Sequence, residues 1–145
     1  MTTLAEGKAP VHLWVVGVLS LLWNGFGCYD YLMTELRNEA YMAQVPPQAL
    51  AIFDAFPVWA IALWAIGVWL SMLGVILLLL RNRQATTAFL IAVVAVLASF
   101  FYQATTDLPQ AMGGASYWIM PAVIIAVTIG QWMYANRMAA AGVLR

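Results

Sequence analysis

Four long stretches of the chain carry no charged residue: Ala9 to Tyr29, Ala55 to Leu80, Gln84 to Thr106 and Leu108 to Asn136, of 21, 26, 23 and 29 residues. Each reaches the ~20 residues with which an α-helix crosses the hydrocarbon core of a bilayer. Inside them apolar residues fill nearly every position, as from Trp69 to Leu80. The alternation of lipid-facing and lumen-facing residues in a transmembrane strand is therefore missing. The pattern predicts an all-α membrane protein: one transmembrane domain over residues 1–145, with helices at about Val11 to Met33, Phe56 to Leu80, Ala85 to Thr106 and Tyr117 to Asn136.

Two connections have character of their own. Thr34 to Ala55 is the only sizeable polar segment between spans, and Pro46-Pro47 stops whatever precedes it. Proline suits the first helical turn, so Pro47 predicts a short interfacial helix with Leu50 and Phe53 toward the bilayer or the bundle. Asp107 to Ser116, with Pro109 and Gly113-Gly114, reads as a flexible turn.

Helices in lipid associate through close packing of small residues and a few hydrogen bonds, because hydrocarbon offers no hydrophobic gain. Each span has such a stripe: Gly17, Ser20, Asn24, Gly27 and Tyr31 in the first, and Ala60, Gly67, Ser71 and Gly74 in the second. The third has Ala88, Ala92, Ala95, Ser99, Gln103 and Thr106, and the fourth has Ala122, Ala126 and Gly130. Steps of three and four keep each set on one helix face. Four such faces predict a closed four-helix bundle.

Composition agrees and removes other classes. Of the 145 residues 65% are hydrophobic and 8% charged, with mean hydropathy +0.88; soluble domains carry about 25% charged residues. A net charge of zero without a basic run excludes nucleic acid as a partner. Lys and Arg near span ends resist translocation. Lys8, Arg81, Arg83, Arg137 and Arg145 fall on one side of the predicted bundle and Arg37 alone on the other. This predicts an N-in, C-in multi-pass protein of the cytoplasmic membrane, with Glu35, Glu39, Asp54 and Asp107 outside. The first span exceeds a signal-peptide core and no small-x-small cleavage site follows it.

Candidate chemistry is sparse. One His and one Cys cannot build a haem, zinc or dithiol centre, so no metal or cofactor is expected. No nucleophile–base set or carboxylate pair emerges, and no enzymatic activity is expected. The interior amides are Asn24, Gln103 and Gln131. Asn24 and Gln103, with Tyr31 and Tyr102, form the candidate ligand-binding cluster in the outer leaflet. Two readings stand: an interhelical hydrogen bond worth ~1 kcal/mol or less, or a small polar pocket open to the outside. Asp30, Arg37 and Asp54 form the candidate external interface, Asp30 being an interfacial carboxylate that can pair with Arg37. His12 reads as a solvated or lipid-facing residue at the inner mouth. A proton relay needs ionisable groups deeper in the bilayer, and the charge-free intervals supply none.

The stretch from His12-Leu13-Trp14 through Leu21-Leu22-Trp23-Asn24-Gly25 to Tyr29-Asp30-Tyr31, Thr34 and Arg37-Asn38 resembles a group of small bacterial inner-membrane proteins. So do Phe56-Pro57, Trp59-Ala60, Ala62-Leu63-Trp64-Ala65, Gly67-Val68-Trp69, the Leu77 to Arg81 exit and the final Gly142-Val143-Leu144-Arg145. Their four-helix plan is loosely similar to DoxX-like proteins, and a sugar-transporter label attaches to some of them. The resemblance implies the bacterial inner membrane and supplies no catalytic residue. Two functions follow as expectations: a non-enzymatic accessory or interaction subunit, partnered by the bilayer and by other membrane subunits or its own copies, or a binder or facilitator of a small solute, including a sugar, or of a lipid.

Overall fold

The computed structural model describes residues 8–145. These form seven α-helices and one 3₁₀ turn, with no strand among the described residues: α1 Val11–Glu35, α2 Glu39–Met42, α3 Pro47–Asp54, α4 Val58–Leu79, α5 Gln84–Ala104, α6 Leu108–Ala111, the 3₁₀ turn Gly114–Trp118, and α7 Ile119–Ala140. Four helices are long and apolar enough to cross a membrane, the last counted from Gly114 through the 3₁₀ turn. The first three spans fall within about two residues of the sequence boundaries. The fourth continues to Ala140 because nothing interrupts it before Gly142, and Arg137 in its last turn suits the negative end of the helix dipole.

Three ends share one device. Arg37, Arg81 and Gly142 take left-handed backbone (φ 53°, 57° and 73°) just past α1, α4 and α7. The amide that follows each bonds back over the last turn: Asn38 N to Met33 O at 3.1 Å, Asn82 N to Leu77 O at 2.8 Å and Val143 N to Met138 O at 2.9 Å. That arrangement satisfies carbonyls a helix leaves open. It also turns the chain sharply enough for α4 and α5 to pack as neighbours.

The spans pack in chain order, α1 on α4, α4 on α5 and α5 on α7, whereas backbone contact between α1 and α7 is sparse. The main core lies at the end that carries Arg81, Arg83, Arg137 and Arg145, termed here the arginine end. Leu13, Val75, Leu78, Ala85, Phe89, Ala135 and Leu144 form one buried cluster there. The last residues lock onto the α4–α5 turn: Arg145 N bonds Arg81 O at 2.7 Å, Arg83 N bonds Arg145 O at 2.9 Å and Arg81 Nε bonds Val143 O at 3.0 Å. Leu144 is thereby held in the core, 2% exposed.

The opposite, acidic end is built from short helices. α3 begins with Pro47 in its first turn, as the sequence predicts, and packs on α6 with Ala49 fully buried; Leu50 and Phe53 are half-buried. The segment read as a flexible turn is instead ordered helical structure in which Leu108 and Pro109 are buried. The glycines permit it by a different route, since Gly113 and Gly114 take φ of 115° and 70° between two helical turns.

The small-residue stripes of the first three spans face inward. Gly17, Ser20 and Asn24 are buried on α1, Ala60, Gly67, Ser71 and Gly74 on α4, and Ala88, Ala92, Ala95 and Ser99 on α5. On α1 the buried face runs on through Cys28; Gly27 is only half-buried and a Cβ there would meet nothing within 4 Å. The fourth stripe is corrected: Ala122, Ala126 and Gly130 are exposed, and α7 buries Pro121, Thr128, Gln131 and Ala135. In hydrocarbon an exposed Ala or Gly carries no penalty, so small residues alone do not mark the packed face. The polar Thr128 and Gln131 lie on the buried face instead, out of the hydrocarbon.

Candidate functional site

Six polar side chains are buried in the four spans: Ser20 and Asn24 on α1, Ser71 on α4, Ser99 on α5, and Thr128 and Gln131 on α7. On α1 the spacing Leu13, Gly17, Ser20, Asn24, Cys28 puts the two polar groups on the seam that meets the bundle. Thr128 and Gln131 stand three residues apart on one face of α7. None of the six is ionisable, so the interior is polar but uncharged.

Their depths are staggered. Leu13 and Ala135 share the buried cluster at the arginine end. At ~1.5 Å per residue, Ser20 and Asn24 lie about 10 and 16 Å further along α1, and Gln131 and Thr128 about 6 and 10 Å along α7. By the same measure Ser99 and Gln103 lie about 22 and 28 Å from the start of α5 at Gln84. The polar groups thus form a seam along the bundle axis rather than one ring. At its arginine end His12 Nδ1 and Tyr134 OH are hydrogen-bonded at 2.5 Å, with the rings edge-on at 5.8 Å. His12 therefore has a specific partner across α1 and α7, although its ring is exposed. At the acidic end Gln103 Nε2 donates to Ser99 Oγ at 3.3 Å and Tyr117 OH donates to Gln103 Oε1.

Between these ends the seam is incompletely paired. Thr128 Oγ1 turns back to Ile124 O at 2.7 Å. Asn24 Nδ2 and both Gln131 Nε2 and Oε1 are buried with no hydrogen-bond partner, on residues only 8% and 6% exposed. A buried polar group without a partner costs about 1–3 kcal/mol. A second hydrogen-bonding species in the seam would offset that cost.

The four residues of the predicted cluster have separate surroundings. Asn24 is the unpaired amide of the seam. Tyr31, seven residues on, is half-buried with its ring edge-on to Trp64 at 5.0 Å and to Trp69 at 6.2 Å. Tyr102 packs on Trp59 at 4.7 Å and Phe56 at 5.2 Å, and Gln103 is engaged by Ser99 and Tyr117. No hydrogen bond or ring contact joins these four to one another among the described residues. The seam adds Gln131, Thr128, Ser20 and Ser71. For Gln131 the signal was in the chain, as an amide deep in a charge-free interval three residues after a threonine.

At the acidic end Arg37 Nη2 meets Asp54 Oδ1 at 2.5 Å, with side chains 52% and 60% exposed. The suggested pairing of Asp30 with Arg37 is corrected. The left-handed turn at Arg37 carries it to the end of α3, and Asp30 instead accepts a hydrogen bond from Tyr41 OH. Burial, and then that bond, pushes the Tyr41 phenol up to about 12. No group of three or more His, Cys, Asp or Glu among the described residues is placed to hold a metal ion. No protein-family model, curated protein or solved structure matches the chain.

Proposed function

We propose that this is a multi-pass protein of the bacterial inner membrane that binds and passes a small, uncharged, hydrogen-bonding solute along the seam between α1 and α7, without catalysing a reaction. The observation that carries this reading is the set of unpaired amide atoms on Asn24 and Gln131. They are buried on α1 and α7, two spans between which backbone contact is sparse. The absence of any Asp, Glu, Lys or Arg among the six buried polar residues favours a neutral solute over an ion, because an uncompensated charge at this depth is costly. Sugars, the class named by the label on some of the small inner-membrane proteins that the chain resembles, fit this chemistry, as do polyols. The arginine end lies in the cytoplasm, supported by five of six basic residues on that side. α3, tied to Arg37 through its last residue Asp54, then rests at the outer interface, the end of α1 that also carries Asp30.

The test is stopped-flow light scattering of proteoliposomes challenged with glycerol, erythritol and a hexose. Wild type raises permeability to at least one of these, and Asn24→Leu and Gln131→Leu each lower it while the bundle stays folded. Flux equal to protein-free vesicles, or unchanged in both variants, removes the proposal.

A second reading is an accessory subunit of a membrane complex, or self-association. One observation favours it: the Ala122, Ala126 and Gly130 face of α7 is exposed, and a Cβ at Gly130 would meet nothing within 4 Å, so another helix can approach closely. Native mass spectrometry from mild detergent then recovers a stoichiometric partner or dimer, which Gly130→Leu abolishes. A monomer in wild type excludes it.

A further inference from the structure

Between the start of α5 and the end of α7, at the arginine end, the surface forms an open groove of about 500 Å³. Arg83, Gln84, Thr87 and Asn136 line it, with Ala139 and Ala140 as a small apolar wall. We infer that this groove binds the phosphate of an anionic phospholipid, a site separate from the seam.

The donors are side chains rather than the helix end. Asn82 Oδ1 already accepts from Gln84 N at 2.8 Å, and Thr86 Oγ1 donates to Arg83 O at 2.9 Å. The Arg83 guanidinium, the Gln84 and Asn136 amides and the Thr87 hydroxyl have no protein partner among the described residues. A guanidinium offers a phosphodiester two parallel N–H donors, and amide and hydroxyl donors from α5 and α7 can meet its remaining oxygens.

Two further observations select this ligand. The Arg83 backbone is fixed, because its N–H bonds Arg145 O at 2.9 Å and Arg145 N bonds Arg81 O at 2.7 Å. The guanidinium therefore projects from a rigid turn. Lys8, Arg81, Arg83, Arg137 and Arg145 share this end with no Asp or Glu among the described residues, so the local field favours an anion. A lipid is preferred over free phosphate because the groove sits at the boundary of two membrane-length helices, where headgroups lie. The Ala139 and Ala140 wall leaves room there for a glycerol backbone.

The experiment is native mass spectrometry of the full chain in micelles doped with equal phosphatidylglycerol and phosphatidylcholine, counting retained lipids, with excess inorganic phosphate in a parallel arm. Wild type should retain phosphatidylglycerol selectively, and inorganic phosphate should not displace it. Arg83→Gln should weaken that retention about tenfold or more, the factor for losing a charge-assisted hydrogen bond to the phosphate. Arg137→Gln, at the same end but outside the groove, should weaken it less than twofold. Should Arg83→Gln not fold, Asn136→Leu on α7 tests the groove from its other wall and should lower retention severalfold. The inference is overturned if Arg83→Gln and Asn136→Leu retain lipid like wild type, or if Arg137→Gln loses as much as Arg83→Gln. It is equally overturned if inorganic phosphate displaces the lipid, which would make this a free-anion site.

Discussion

α4 and α5 pack tightly at Gly74, and the cost of adding a methyl there can be worked out atom by atom. A Cβ built on Gly74 would lie 2.8, 2.9 and 3.0 Å from Cε1, Cδ1 and Cγ of Phe89 on α5. Ordinary contacts begin near 3.4 Å, and Phe89 is fully buried, so its flat ring has little room to retreat. Adding one methyl to a packed core costs about 1–3 kcal/mol. The helix propensity of Ala over Gly returns ~1 kcal/mol, leaving Gly74→Ala destabilised by up to about 2 kcal/mol. Gly17→Ala is the instructive neighbour. Its Cβ would fall only 2.3 Å from Leu79 Cδ2, yet that atom is the tip of a half-buried, rotatable side chain, so the milder loss belongs to the shorter distance. Gly130→Ala meets nothing and should be neutral or gain up to ~1 kcal/mol. Equilibrium unfolding in mixed micelles, followed by circular dichroism, should rank the variants Gly130→Ala, Gly17→Ala, Gly74→Ala from most to least stable. Adding Phe89→Leu should recover part of the Gly74→Ala loss, as expected for residues in contact. If Gly74→Ala is as stable as Gly130→Ala, the α4–α5 interface is not packed as described.

Three further outcomes follow. With the arginine end in the cytoplasm, a green fluorescent protein joined after Arg145 should fluoresce and alkaline phosphatase at the same place should be inactive; the reverse would invert the orientation. The Tyr41 phenol, pushed up to about 12 by burial and by its bond to Asp30, favours the fold in its neutral form. That contribution is full below the ordinary value of 10 and is lost as pH rises through about 12. The tyrosinate absorbance of wild type minus Tyr41→Phe should accordingly titrate near 12, and a midpoint near 10 would contradict the contact. Asp54→Asn should change stability by less than about 1 kcal/mol, since both partners of the Arg37 pair are more than half exposed; a loss above 2 kcal/mol would mean that α3 depends on it.

The spans were legible because charge is expensive in hydrocarbon and the intervals free of it match the helices closely. Three inward faces were legible for a related reason. At Gly67 and Gly74 an added Cβ would meet Val96 and Phe89 of α5 at about 3 Å, and only a residue without one fits there unstrained. The same cue failed on α7, where Ala122, Ala126 and Gly130 look outward and Thr128 and Gln131 fill the interior. There the deciding term was polarity rather than size. Asn24 was legible as an interior amide. The separate surroundings of Tyr31, Tyr102 and Gln103 were not, because ring packing against Trp64, Trp59 and Phe56 depends on side chains from other elements. Nor does local sequence encode that Arg37 would reach Asp54, seventeen residues on, rather than Asp30.

The central claim is that the seam at Asn24 and Gln131 is open to a hydrogen-bonding species within the bilayer. Water-edited solid-state NMR of the side-chain amides, in lipid bilayers, measures this directly. The amide protons of Asn24 and Gln131 should receive magnetisation from mobile water at rates near those of residues at the helix ends. No transfer at either residue, as for the fully buried Phe89 backbone, would mean a dry interior whose amides serve helix packing alone.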